Sequence, residues 1–314
     1  MSPDASSEFQ PLPKGCYVML HMGMGPSQFQ ETSSSPLIVK EGNRFELSDQ
    51  IWLERLDENT AKHVQIACDP PHYRIDNANH DRHLYAFVMR VPERQQTRYG
   101  GLDILHALVS ISRLVHPTST GDRYCAQIMH YGLEESAIHA IQYRGACPDV
   151  FLGAQQRDWL TVQDGETLRG LMPWTAKNMH TRIHRAFWNH EYAMRSSYLD
   201  VRWMFVIGGL EALINVAEDN VSMQFRERVG QLAAHFKIVL TIDELRQAYK
   251  LRSKLVHAES FLHGLGNILP TGGHTVLYDR LEETLRQTVR EALLNDNFGD
   301  FFRDDAAVAA KWRC

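Results

Sequence analysis

Between Trp203 and Ala217 the chain reads "WMFVIGGLEALINVA", apolar or glycine on every side of a helical wheel, with Glu211 as its only charge. A helix that is apolar all round has to be covered by neighbours on several sides. This one is too short for a membrane span, which takes about 20 apolar residues. The chain is therefore expected to build a helical bundle around this segment. The bundle must also supply a partner for Glu211, because an unpaired buried charge costs several kcal/mol.

The flanking sequence supplies the other helices. After "LMPW" (171–174), helical spacing is almost uninterrupted. A first helix is expected over about 175–194 and the central one over about 198–218. A third follows Ser222, a suitable N-cap, with Phe225, Val229, Leu232, Ala233 and Phe236 on one face. A fourth starts at Thr241, where "TIDE" forms a capping box with Glu244, and runs to about 259. A Gly/Pro-rich loop, 261–274, precedes a fifth helix over about 275–295, in which Leu281, Leu285, Val289 and Ala292 are spaced for packing.

The first half reads differently. Strands are expected at 16–22, 36–40, 83–91, 124–131 and 136–143, with one helix at 101–115 and a polar loop at 69–83. The fold class is thus an α+β domain (15–170), preceded by a disordered 1–14, followed by an all-α bundle (171–296) and a tail (297–314) whose pattern is ambiguous. The length of 314 residues suits about two domains.

The fourth helix carries the second constraint. With Leu245 at zero and about 100° per residue, Ala248, Tyr249, Leu251, Leu255 and Val256 fall in one broad arc, and Arg252 lies near its centre. Arginine enters a core only when paired. Glu211 is the expected partner, since the guanidinium fork suits a carboxylate. Two readings stay open: a packing device inside the bundle, or part of an active site. His257 lies about 140° round the helix from Arg252, so one straight helix cannot present both on one face. Cooperation between them needs a distorted helix end or a second protomer.

Net charge is -5, so nucleic-acid affinity, if present, must be local. One local cluster exists, Arg246, Lys250, Arg252 and Lys254, and its plainer reading is a solvated helix face. The five cysteines are scattered without a CxxC, which argues against a disulfide framework or a cysteine zinc site. The polar N-terminus lacks a signal-peptide pattern and no membrane span is present, so a cytoplasmic location is the default. No DNA-binding motif is seen.

The segments "RSKLVH" (252–257), of Arg-x4-His form, and "GGLEALI" (208–214) resemble the HEPN superfamily of helical domains, and more closely its ApeA-like branch. The spacing that joins them through "FRERVGQLAAHF" is similar too. The resemblance covers roughly 175–295. It implies a metal-independent endoribonuclease acting as a homodimer, with no cofactor, in an antiviral defence or toxin setting. On that resemblance His257 is the general acid/base, Arg252 the transition-state stabiliser and Glu211 the residue orienting Arg252. Ser253 takes the polar position after the arginine, where active relatives often carry Asn or Asp. Lys250 and Lys254 are candidate RNA contacts. The alternative is a non-catalytic module of the same kind that binds RNA, nucleotide or a protein partner.

About one Arg-x4-His match is expected by chance in such a chain, and Arg185–His190 is a second. It lies on the first helix, where the family has no motif. His180 and His184, one turn apart, lack an evident third ligand and read as ordinary polar-face histidines. The loop "GLGNILPTGGH" fits neither a dinucleotide nor a P-loop pattern, and no hydrolase elbow occurs.

Overall fold

A computed structural model of the chain describes residues 16–22, 44–56, 60, 63–64, 84–90, 102–115, 121–129, 137–143, 162–173, 180–196, 198–216, 219–256 and 273–314. The expected strand 36–40, the terminus 1–14 and the loops 69–83 and 261–272 lie outside these residues. The chain divides into two units. One holds Met1–Ser112, Thr118–Cys147 and Arg157–Met172, and the other Arg113–Pro117, Pro148–Gln156 and Pro173–Cys314.

The first unit contains an antiparallel six-stranded sheet. Its strands are β1 (Cys16–Met22), β2 (Arg44–Ser48), β3 (Ile51–Arg55), β4 (Leu84–Arg90), β5 (Gly121–Met129) and β6 (Ala137–Tyr143). Their order is β2-β3-β4-β1-β5-β6. On the central strand, Val18 pairs with Val88 on one side and Ala126 on the other. The β2–β3 hairpin turns at Asp49–Gln50, with Ser48 opposite Ile51. Sequence inspection missed this hairpin. Its strands have five residues each, and Asp-Gln is not the Asn-Gly or Asp-Gly turn that marks hairpins.

Helix α1 spans Leu102–Val115, and α2 spans Val162–Leu171, just before Pro173. Helix α2 was also missed. It packs on β2, where the Arg169 guanidinium donates to the Glu46 carbonyl at 2.7 and 3.0 Å and lies over the Phe45 ring.

The second unit is helical: α3 (Thr181–Arg195), α4 (Leu199–Ile214), α5 (Val221–His235), α6 (Ile242–Val256) and α7 (Gly273–Leu294). Helix α4 is the apolar segment of the opening argument, and it packs against α3, α5, α6 and α7. Two glycines let it do so. A Cβ on Gly208 would stand 3.2 Å from Asn189 Oδ1 on α3, and one on Gly209 would stand 2.7 Å from a Leu285 methyl on α7. Helix α4 is nonetheless not closed all round. Val201, Met204, Phe205, Gly208, Glu211 and Ala212 share one arc and remain partly exposed, while Trp203, Val206, Ile207, Leu210, Leu213 and Ile214 are buried.

Helix α5 starts at Val221, one residue before the expected cap Ser222. Asn220 adopts a left-handed conformation, φ 54°, and its carbonyl accepts from the Met223 and Gln224 amides. Asparagine tolerates that conformation better than most residues. The capping box on α6 forms: Glu244 N donates to Thr241 Oγ1 at 3.2 Å, and Thr241 N donates to Glu244 Oε2 at 2.8 Å.

The tail 297–314, ambiguous in sequence, contains defined elements. Asp296–Gly299 (α8), a 3-10 turn at Asp300–Phe302 and Asp305–Lys311 (α9) fold it back. Phe298, Phe302 and Trp312 are buried against one another, and His235 of α5 stacks on Phe298. Arg228 of α5 fixes the end by donating to the Trp312 carbonyl at 2.8 Å. The apolar residues of "NFGDFFRDDAAVAAKW" are broken up by Gly299, Asp300 and the run Arg303–Asp305, too short a pattern on either side to show this from sequence. Among the described residues no helix is long and apolar enough to cross a membrane.

Candidate functional site

Helices α4 and α6 touch at two levels. Near the middle of α6, the Trp203 indole donates to the Ala248 carbonyl at 3.3 Å. Farther along α6, Arg252 Nη2 donates to Glu211 Oε2 at 3.1 Å. The two residues singled out in sequence are therefore in contact. Their side chains are 33% and 12% exposed.

Arg252 was expected in the core, and that needs correcting. Its angular position is central to the stripe, since Leu245, Ala248 and Leu251 are buried around it. Its side chain is nonetheless 33% exposed, so the guanidinium is not sealed inside the bundle. A guanidinium carries five N–H donors, and the Glu211 contact takes one. The long side chain thus holds a charge at the edge of the bundle with donor capacity to spare.

Tyr249, one turn earlier on α6, also engages Glu211. Its ring packs on Phe225 with centroids 5.3 Å apart. Burial and then the Glu211 charge push the phenol above its ordinary value, against the opposing pull of Arg252, and a hydrogen bond to Glu211 adds to the rise. Glu211 thus interacts electrostatically with Tyr249 as well as with Arg252. Tyr249 was read in sequence only as part of the apolar stripe.

Ser253 is partly exposed beside Arg252. Lys250 is exposed and Lys254 is partly exposed. Each is two residues from Arg252, or about 200° round the helix, so they occupy a different face. The cluster Arg246, Lys250, Arg252 and Lys254 is not one patch. Arg246 is paired with Asp243 and Arg252 with Glu211. His257 lies outside the described residues.

The other Arg-x4-His match shows what a regular helix does with that spacing. Arg185 and His190 both lie within α3; Arg185 is exposed, and His190 is wholly buried. His190 meets Glu282 Oε1 on α7 through Nε2 at 2.8 Å, and Arg286 lies 3.3 Å from the same carboxylate oxygen. The next residue, Glu191, is bound by Arg113 and by Arg195, the latter at 2.5 Å.

This buried network was missed in sequence. The available signal was that His190 and Glu191 fall within the stripe Ile183, Ala186, Phe187, Met194 of α3. Burial alone would raise the Glu191 pKa, but Arg113 and Arg195 outweigh it and hold it below the ordinary range. Burial acts likewise on Glu282, and Arg286 and His190 outweigh it.

His180 approaches Asp300 at 3.5 Å, and His184 Nε2 accepts from the Trp188 indole at 3.0 Å. Among the described residues no group of three or more His, Cys, Asp or Glu side chains is placed to hold a metal ion. No protein-family model, no curated protein and no solved structure matches this chain.

Proposed function

We propose that this chain is a metal-independent endoribonuclease of the HEPN type. It acts as a homodimer in the cytoplasm, as an effector of a bacterial antiviral defence or toxin system. The observation that carries the reading is the Glu211–Arg252 pair. A carboxylate orients a guanidinium whose side chain keeps a third of its surface in solvent. The defence setting rests on the family resemblance alone.

The chemistry divides among the named residues. The RNA 2′-OH loses its proton and its oxygen attacks the adjacent phosphorus. The bond to the 5′-oxygen breaks, and that oxygen takes up a proton. The products are a 2′,3′-cyclic phosphate and a 5′-OH end. Arg252 stays charged throughout and pairs with the phosphate oxygens as negative charge builds. His257 moves the protons, which suits a group titrating near neutrality. Glu211 and Tyr249 are positioning residues that fix the Arg252 fork.

The test is incubation of the purified full chain with RNA in the presence of a chelator. Cleavage to cyclic-phosphate ends is expected, reduced about 100-fold or more in Arg252→Ala and in His257→Ala. Cleavage at wild-type rate in both variants would overturn the site. Absence of cleavage by the wild-type chain would favour the alternative, a non-catalytic module binding RNA, nucleotide or a protein partner.

A further inference from the structure

The solvent face of α3 carries a row of aromatic rings. His184, Trp188 and Tyr192 stand four residues apart and so line up one above another. Trp188 is 39% and Tyr192 51% exposed. Consecutive ring centroids are 6.2 Å apart from His184 to Trp188 and 6.1 Å from Trp188 to Tyr192. The row continues onto α4, where Phe205 lies 5.3 Å from Tyr192. It is held in place from below. The Trp188 ring packs edge-on against buried Phe187 at 5.3 Å, and its indole N–H is committed to His184. Four rings are thus fixed, with their outer surfaces in water.

Helix α3 has a single carboxylate, Glu191, and it is buried. Arg182 is committed to Asp305, and Arg195 to Glu191. Arg185 remains an exposed cation on the helix. From Phe205 the partly open arc of α4 leads to Glu211, a rise of about 9 Å along the helix axis. Helix α4 runs antiparallel to α3, with Phe205 beside Tyr192, Gly208 beside Asn189 and the Ala212 carbonyl beside Arg182, so Glu211 lies level with the His184–Trp188 part of the row, across the open arc of α4.

We propose that this row is a stacking platform for single-stranded RNA. Bases lie on the exposed faces of Trp188 and Tyr192, Arg185 meets the backbone phosphate, and the strand continues over α4 toward Arg252. Aromatic faces accept any base, and a nearby cation supplies the sequence-independent share of affinity. A duplex would not fit this role, because its bases are already stacked. The absence of an exposed carboxylate on α3 favours a polyanion over an acidic protein surface. The inference deepens the ribonuclease reading and rests on it for the fate of the strand, but binding can be measured apart from cleavage.

The experiment is fluorescence anisotropy with 5′-labelled oligo(U) and oligo(A) of about 12 nucleotides, a length within typical single-strand site sizes. The full chain carries Arg252→Ala so that the probe stays intact. Trp188→Ala and Tyr192→Ala, each added to that background, are expected to weaken binding of both oligonucleotides about tenfold. Trp188→Phe should retain most of the affinity. Arg185→Glu, at an exposed position that does not challenge folding, should weaken binding and lower the salt slope by about one.

Equal affinity in the parent and in both Trp188→Ala and Arg185→Glu would overturn the platform, as would no measurable binding by the parent. Loss of a dimer in Trp188→Ala, with RNA affinity unchanged, would assign the row to an interface between copies and also overturn it. Platform-dependent binding by a chain that never cleaves RNA would support the platform while the ribonuclease reading fails. Cleavage by the wild-type chain, with affinity unaffected by these variants, would do the reverse.

Discussion

The helical unit contains two kinds of charged contact, and the contrast between them separates fold from function. Glu191 with Arg113, and Glu282 with His190, are sealed from solvent. Glu211 with Arg252 leaves a third of the arginine exposed. The sealed contacts hold their charges out of reach of any ligand. The open pair satisfies its carboxylate and leaves guanidinium donors over. Charge at the edge of a bundle can act on a ligand, whereas charge at its centre chiefly specifies how helices fit.

The sharpest way to break the contrast is to remove one member of each pair. Glu191→Ala leaves the Arg113 charge buried and is expected to cost about 3–5 kcal/mol of unfolding free energy, measured by urea denaturation. A cost below about 1 kcal/mol would show that this network is not a structural keystone.

Acid is the next lever. Glu191 and Glu282 are both held below the ordinary carboxyl value of 4.5 in the folded chain. Their stabilisation is therefore present above that value and is lost as pH falls through the lower folded values. Thermal midpoints should drop steeply below about pH 4.5, and more shallowly in Glu282→Gln.

The open pair should behave oppositely. Arg252→Ala is expected to cost only about 0–1 kcal/mol in the same denaturation experiment while removing RNA cleavage. Glu211→Gln, which keeps the shape but not the charge, should lower kcat more than it raises KM. The smallest effect belongs to Lys250, exposed on another face of α6. Lys250→Ala should change stability by less than about 0.5 kcal/mol and lower RNA affinity less than Arg185→Glu does in the anisotropy experiment.

The contrast also explains what could be read from the sequence. Helical phase placed Glu211 and Arg252 toward each other, because a lone charge on an apolar face must find a lone charge of opposite sign. It gave the face but not the exposure, so Arg252 was expected deeper than it lies. The capping box at Thr241 was legible because its logic is local. His190 and Glu191 were not legible as a network, since their partners are about 80–90 residues away in sequence, at Arg113 and Glu282. The β2–β3 hairpin escaped because its turn lacks glycine, and the C-terminal segment escaped because its order comes from Arg228 and the aromatic cluster rather than from its own pattern. Tyr249 was placed correctly on the stripe, but its hydroxyl had no visible partner until α4 was laid beside α6.

The Arg228 contact has a consequence for how the chain is made. Its guanidinium donates to the Ile214 carbonyl at 2.7 Å, at the end of α4, and to the Trp312 carbonyl at 2.8 Å. The donor and the first acceptor emerge early during synthesis, and the second emerges some 84 residues after the arginine. At typical translation rates of about 5–20 residues per second, α5 waits seconds for the carbonyl that completes its hydrogen bonding. The helical unit can begin to assemble on the ribosome, but it cannot close until Trp312 has left the tunnel.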